Sequence, residues 1–260
     1  MNRQIVLSSY DVKGQGNNTP QNFITKFNKA IMLDSNHQYM IGLDRIVNMS
    51  FTWFNVNPSY GNQLIKYSSD NGSTFHEITL PAGVWNYTKF DAYIKNITKI
   101  VKDGANNNDY PITLEFNETT FRVTITLANN YQFDLAASNF NNLIGFDKKV
   151  LKDNINIGVR VPNLSQDTDI LNIHCDLIND SLVDGQDTDI IYSFSTSVLR
   201  PSYSFTIEPQ RVAFNTINKT SIDSIRIYIT DGKRRLINLN GADTSFSLIL
   251  KKIEKCNIIL

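Results

Sequence analysis

Cysteine is scarce. The 260 residues contain only Cys175 and Cys256, too few for the disulfide-dense framework of a small secreted scaffold. The two can bridge only if the fold brings their Cα atoms within roughly 7 Å, so the sequence leaves their pairing open. Long apolar runs are absent as well. No stretch approaches the ~20 apolar residues of a membrane span, and the N-terminus offers only Ile5-Val6-Leu7, which we do not read as a signal peptide. An excess of either charge is missing too. Lys plus Arg and Asp plus Glu number 25 each, so no field favours nucleic acid or an anionic membrane. Lys233-Arg234-Arg235 reads as a solvated turn. Catalytic signatures are missing: there is no G-x-S-x-G, no H-E-x-x-H, no CxxC pair and no phosphate-cradling glycine loop. The three histidines (His37, His76 and His174) read as structural. These absences argue against an enzyme, and no cofactor is expected.

What the chain does have is alternation. Ile225, Ile227 and Ile229 interleave with Arg226, Tyr228 and Thr230, the period of a half-buried strand. Asp231-Gly232 and Asn240-Gly241 favour tight reversals, and Phe246, Leu248 and Leu250 then alternate with Ser245, Ser247 and Ile249. The whole reads as a C-terminal meander of short strands. Near the start, Phe23, Thr25 and Phe27 share one strand face, and Leu33-Asp34-Ser35-Asn36 makes a turn. The run from Tyr39 to Val56 then carries Trp53 into a core. Asparagine supplies about one residue in eight, well above ordinary usage. The N-x-S/T triplets at Asn48, Asn71, Asn86, Asn96, Asn117, Asn163, Asn179 and Asn218 are therefore read as accidents of composition.

The middle changes period. Phe90, Tyr93, Ile94, Ile97, Ile100 and Val101 recur at spacings of three and four, predicting an amphipathic helix. Thr88 with Asp91 reads as its capping box and Gly104 as its stop. Strand-like runs follow at Ile112–Phe116, Thr120–Leu127 and Tyr131–Leu135, then a short helix from Ser138 to Ile144. Residues 74–148 are thus expected to form an inserted α+β unit. A polar linker from Lys148 to Gln166 should lead back into strands.

A small echo appears there: Gln166-Asp-Thr-Asp-Ile170 recurs as Gln186-Asp-Thr-Asp-Ile190, each copy entering an apolar run. Two copies make no solenoid, and we read them as matching turns feeding neighbouring strands. Together, Asp167, Asp169, Asp187 and Asp189 are weak candidates for a calcium or magnesium site, because hard cations need several oxygens at one point. Aspartate also simply favours turns, and no metal is expected. His174 and Cys175 invite a base–nucleophile reading, yet adjacent strand residues point to opposite faces. The polar stretch Ser8–Pro20 reads either as a free terminus or as an arm that orders on a neighbouring subunit. Within it, Val12-Lys13-Gly14-Gln15-Gly16 loosely resembles sites cut by adenovirus-type maturation proteases.

Several pieces together resemble one family: NFITKFNKAIMLDSNHQYMIGLDRI near the start, Leu80-Pro-Ala-Gly83, NNLIGF at Asn141–Phe146, DIIYSF at Asp189–Phe194, and the C-terminal strands. They are similar to the penton, or minor capsid, proteins of Polinton/Maverick elements, adintoviruses and virophages. The resemblance implies a mainly β fold, a single jelly-roll sandwich built from residues 1–73 and 149–260 with the α+β unit of 74–148 inserted. It implies a structural virion protein that self-associates as a homopentamer at icosahedral vertices, beside a major capsid protein. Such a protein is made inside the host cell and located in the capsid, with the insertion and turn tips facing a host receptor. It offers no catalytic residues. Two rivals stand beside it. A carbohydrate- or receptor-binding jelly-roll module would cluster exposed aromatics on one face, and a jelly-roll enzyme would need convergent metal ligands.

Overall fold

Strand alternation in the sequence becomes two strand-rich units in the computed structural model, which describes residues 2–12, 15–50, 53–101, 108–166, 168–196 and 204–254. Phe54–Gln166 form one compact unit, and the segments on either side form the other. The chain begins with β1 (Asn2–Ser8), β2 (Asn22–Met32) and β3 (His37–Ser50). Within the insertion lie β4 (Leu64–Ser68), β5 (His76–Thr79), α1 (Tyr87–Thr98), β6 (Ile100–Val101), β7 (Asn108–Asp109), β8 (Ile112–Asn117), β9 (Arg122–Leu127), β10 (Gln132–Asp134), α2 (Phe140–Ile144), β11 (Val150–Leu151) and β12 (Ile155–Ile157). The chain returns through β13 (Ile170–Cys175), β14 (Ser181–Val183), β15 (Gln186–Thr188), β16 (Ile190–Ser195), β17 (Ser204–Ile207), β18 (Asn215–Thr216), β19 (Ser221–Asp231) and β20 (Ser245–Glu254).

The flanking segments build a jelly-roll. One sheet runs β1-β20-β3-β17, with β18 also on β3, and the other runs β16-β13-β19-β2. The chain crosses between the sheets repeatedly: β1, β3, β17, β18 and β20 lie in the first and β2, β13, β16 and β19 in the second, with only the steps from β13 to β16 and from β17 to β18 staying in one sheet. That alternation gives each sheet antiparallel partners remote in sequence. The two inner faces meet in one core. Leu7, Ile41, Leu43, Phe246 and Leu248 enter it from the first sheet; Phe23, Leu171, Ile173, Ile225, Ile227 and Ile229 enter from the second. Phe23 and Phe246 stack across it with ring centroids 6.3 Å apart.

The C-terminal strands form no meander. β19 and β20 lie in different sheets: the chain reverses after Asp231, with Leu236 bridging Thr230 antiparallel and the Ile237 amide donating to the Ile229 carbonyl, and only then crosses to the first sheet. Alternation reports which residues face inward and is silent about which sheet they face inward from. The N-terminal arm is tied to its own unit: the Ser9 amide donates to the Thr244 carbonyl at 2.9 Å, and Thr244 Oγ1 donates to the Pro20 carbonyl at 2.7 Å.

The inserted unit begins and ends outside the 74–148 boundaries read from sequence. β4 pairs with both β5 and β10, which places Leu64–Thr79 in it. β11 pairs with β10 and β12 with β9, so residues 148–166 carry two short strands of this unit and belong to it instead of linking it to the next. α1 buries Phe90 and Ile94 against Ile112, Leu114, Val123 and Phe140. Its N-cap is Asn86, whose side chain accepts from the Lys89 amide at 2.9 Å; Thr88 sits inside the helix. Asp91 instead accepts from the Leu114 amide and pairs with Lys95, docking α1 on the edge of β8. The helix stops at Thr98, since Lys99 turns extended (φ −55, ψ 138) and Ile100 enters β6. Gly104, the expected stop, lies outside the described residues.

Candidate functional site

On the second jelly-roll sheet, β13 is flanked by β16 and β19, and a polar cluster joins all three. His174 Nδ1 lies 2.7 Å from Asp189 Oδ1, just before β16, and its Nε2 lies 2.9 Å from Thr230 Oγ1 on β19. Tyr228, directly opposite His174 in the ladder, stacks on the imidazole at 4.2 Å and donates its hydroxyl to Asp189. Burial holds the His174 pKa below its ordinary value although the Asp189 carboxylate pulls the other way. Burial likewise pushes the Tyr228 phenol up to about 12, with Asp189 adding to the shift.

The chain of carboxylate, imidazole and hydroxyl has the order of a nucleophile relay. Its access differs: His174 is 5% exposed and Thr230 4% exposed, so no substrate reaches the hydroxyl. The geometry stitches three strands. Cys175 points the other way, into the hydrophobic core, where burial lifts its thiol to about 12. A thiol so poised is a packing residue rather than a nucleophile. It is a free cysteine; Cys256 lies outside the described residues.

The aspartate echo is separated by the fold. β13 and β16 are neighbours, but antiparallel: Ile170 faces Ser195 while His174 faces Ile190. The two strand entrances therefore sit at opposite ends of the pair, on the order of 15 Å apart at strand rise. Asp169 stands at one end, with Asp187 and Asp189 at the other; Asp167 lies outside the described residues. The second copy is also not a turn, since Gln186–Thr188 is β15, hairpinned to β14 across Asp184-Gly185. Among the described residues no three His, Cys, Asp or Glu side chains gather as a metal would require. The sequence placed Asp189 in a metal set and missed its partners His174, Tyr228 and Thr230. The only available signal was that all four sit on one face of alternating strands.

The sequence motifs in the inserted unit are structural clamps. In NNLIGF, Gly145 takes φ +76, and Asn141 Nδ2 donates to the Phe146 carbonyl at 2.9 Å. The Gly145 carbonyl accepts from the Arg160 amide, and that of Asn142 from the Asn163 amide. The Leu80–Gly83 stretch leads into a shallow groove of about 480 Å3 lined by Trp85, Lys89, Tyr93 and Asn96. On the same unit, Ile155, Ile157, Val159 and Val161 are 65, 60, 50 and 63% exposed, an apolar row along β12 and its extension. Among the described residues β12 pairs only with β9, so its outer edge is open. No helix of the described residues is long and apolar enough to cross a membrane.

The architecture is thus that of a single jelly-roll interrupted by an α+β insertion. Among solved structures, the crystal structure of the mavirus penton protein is similar, with a TM-score of 0.51 and 10% identity over 97% of this chain and 100% of that one. The segments that resemble penton sequences therefore belong to a chain with the fold of a penton protein. No protein-family model matches the chain, and no curated protein matches it by sequence.

Proposed function

We propose that this protein is a penton-type minor capsid subunit, forming a homopentamer at icosahedral vertices beside a separate major capsid protein. One observation carries the reading: the likeness to the mavirus penton protein runs through the whole length of both chains, insertion included. A shared core alone would support only a common jelly-roll, a fold with many uses. The polar cluster at His174, with its imidazole and the Thr230 hydroxyl buried, agrees with a role exercised through surfaces. The exposed β12 row and the hairpin tip at Asp184-Gly185 supply surfaces for capsid neighbours or a host receptor.

The experiment is light scattering of the purified chain across concentration. The expected species has about five times the 29.6 kDa chain mass, as closed cyclic symmetry requires, and co-expression with its major capsid protein incorporates it into particles. A strict monomer that never enters particles overturns the proposal.

A further inference from the structure

In the jelly-roll unit, a cleft of about 760 Å3 opens where the edge strand β2 meets the turns following β1. Lys26 of β2 and Arg226 of β19 line it, and among the described residues no acidic one does. The Lys26 backbone pairs with β19, and its ammonium has no hydrogen-bond or ion-pair partner among the described residues. Arg226 donates its Nε to Asn22 Oδ1 at 2.9 Å and lies 4.9 Å from the Tyr228 ring centre, with no carboxylate on its guanidinium. The Asp176 carboxylate accepts from the Arg226 amide at 2.9 Å and leaves the guanidinium itself without a carboxylate partner, so two cationic heads on one wall set a local field for an anion.

The remaining wall is built for hydroxyl groups. The Asn17 carboxamide is exposed and unengaged among the described residues, and Gln15 spends only one N–H, on the Asp11 carbonyl. Carboxamides both donate and accept, matching vicinal hydroxyls. Ile24, 40% exposed, offers an apolar patch for the carbon face of a ring. The volume lies in the range of small-molecule sites, far above that of a bare ion. An extended peptide fits less well. Strand addition needs the free main-chain groups of an edge, and at Ile24 these are occupied: Asn18 Oδ1 accepts from the Ile24 amide at 3.0 Å while Asn18 Nδ2 donates to its carbonyl at 3.3 Å.

We propose that this cleft binds an acidic saccharide, with its carboxylate or sulfate on Lys26 and Arg226 and its hydroxyls on Gln15 and Asn17. The site is independent of the capsid reading, and binding is measured apart from assembly. The test is titration calorimetry on the full chain in its own oligomeric state. The probes are 3′-sialyllactose for the carboxylate source, a heparin-derived tetrasaccharide for the sulfate source, neutral lactose, and a glutamate-rich decapeptide. One acidic saccharide is expected to bind about once per chain, to weaken as salt rises, and to exceed lactose by at least tenfold. Lys26→Glu and Asn17→Ala should each weaken it by at least about tenfold. Both side chains are exposed and unpartnered among the described residues, so the melting temperature stays unchanged and serves as the folding control. Absence of binding by both acidic saccharides, binding indifferent to both substitutions, or tighter binding of the peptide overturns the assignment.

Discussion

Asparagine, so abundant in the sequence, acts at residue scale as a substitute for main chain. Asn55 donates to the Trp85 and Leu164 carbonyls and accepts from the Trp85 amide, while Asn62 donates to the Asn55 carbonyl and accepts from the Asn57 amide. Asn86 caps α1, and Asn117 accepts two amides in the β8–β9 turn. Asn55 and Asn62 fall outside any N-x-S/T triplet, so the composition has a structural use that the triplets do not reveal. Asn55→Ala should destabilise the inserted unit by about 2 kcal/mol, since it strips partners from partly buried main-chain groups; a chemical-denaturation midpoint checks this. His174 gives a pH dependence. Its folded pKa lies below the unfolded value of about 6.5, so its contribution is fully present above that pH and is lost as pH falls through the lower folded value. The groups facing it are Asp189, Tyr228 and, more distantly, Arg234. Denaturation between pH 7 and 5 should show stability falling with acid, and His174→Gln should flatten that slope.

At the scale of elements, glycine marks where segments approach too closely for a side chain. A Cβ on Gly145 would stand 2.2 Å from the Arg160 carbonyl oxygen, at a φ of +76. One on Gly42 of β3 would stand 2.6 Å from the Ala213 carbonyl oxygen. Gly145→Ala combines left-handed strain with a backbone clash and should cost more than about 2 kcal/mol, read as a lowered melting temperature. Turn chemistry was partly legible: Asn240-Gly241 and Asp184-Gly185 carry positive φ as their dipeptides imply. At Asp231-Gly232 the left-handed residue is Arg234 (φ +62), because the buried Asp231 carboxylate gathers the Lys233 and Arg235 amides and the Arg235 Nε. The β12 row makes a contrasting case. Ile157→Lys sits on an exposed face and should change stability by no more than about 0.5 kcal/mol while lowering the binding of a hydrophobic dye. A large stability loss would show instead that the row is buried.

At the scale of the whole molecule, the insertion carries its own core, with Phe90, Ile112, Val123, Phe133, Phe140 and Phe146 all fully buried in one cluster. Residues 54–166 alone should therefore fold cooperatively, as an independent core allows, which circular dichroism during thermal unfolding would show. The jelly-roll, by contrast, is closed by pairings between the chain's extremes: β1 with β20, and β20 with β3. Sequence by itself determined the periods, and with them the mainly β class, the helical insertion and most inward faces, because burial imprints directly on local spacing. Which sheet each strand joins was decided only by tertiary structure. So were the separation of the aspartate echo, the gathering of His174 with Asp189 and Thr230, and the meeting of Lys26 with Arg226. The reason is physical: a pairing between residues two hundred positions apart leaves no period in either partner, and only the packed core selects it.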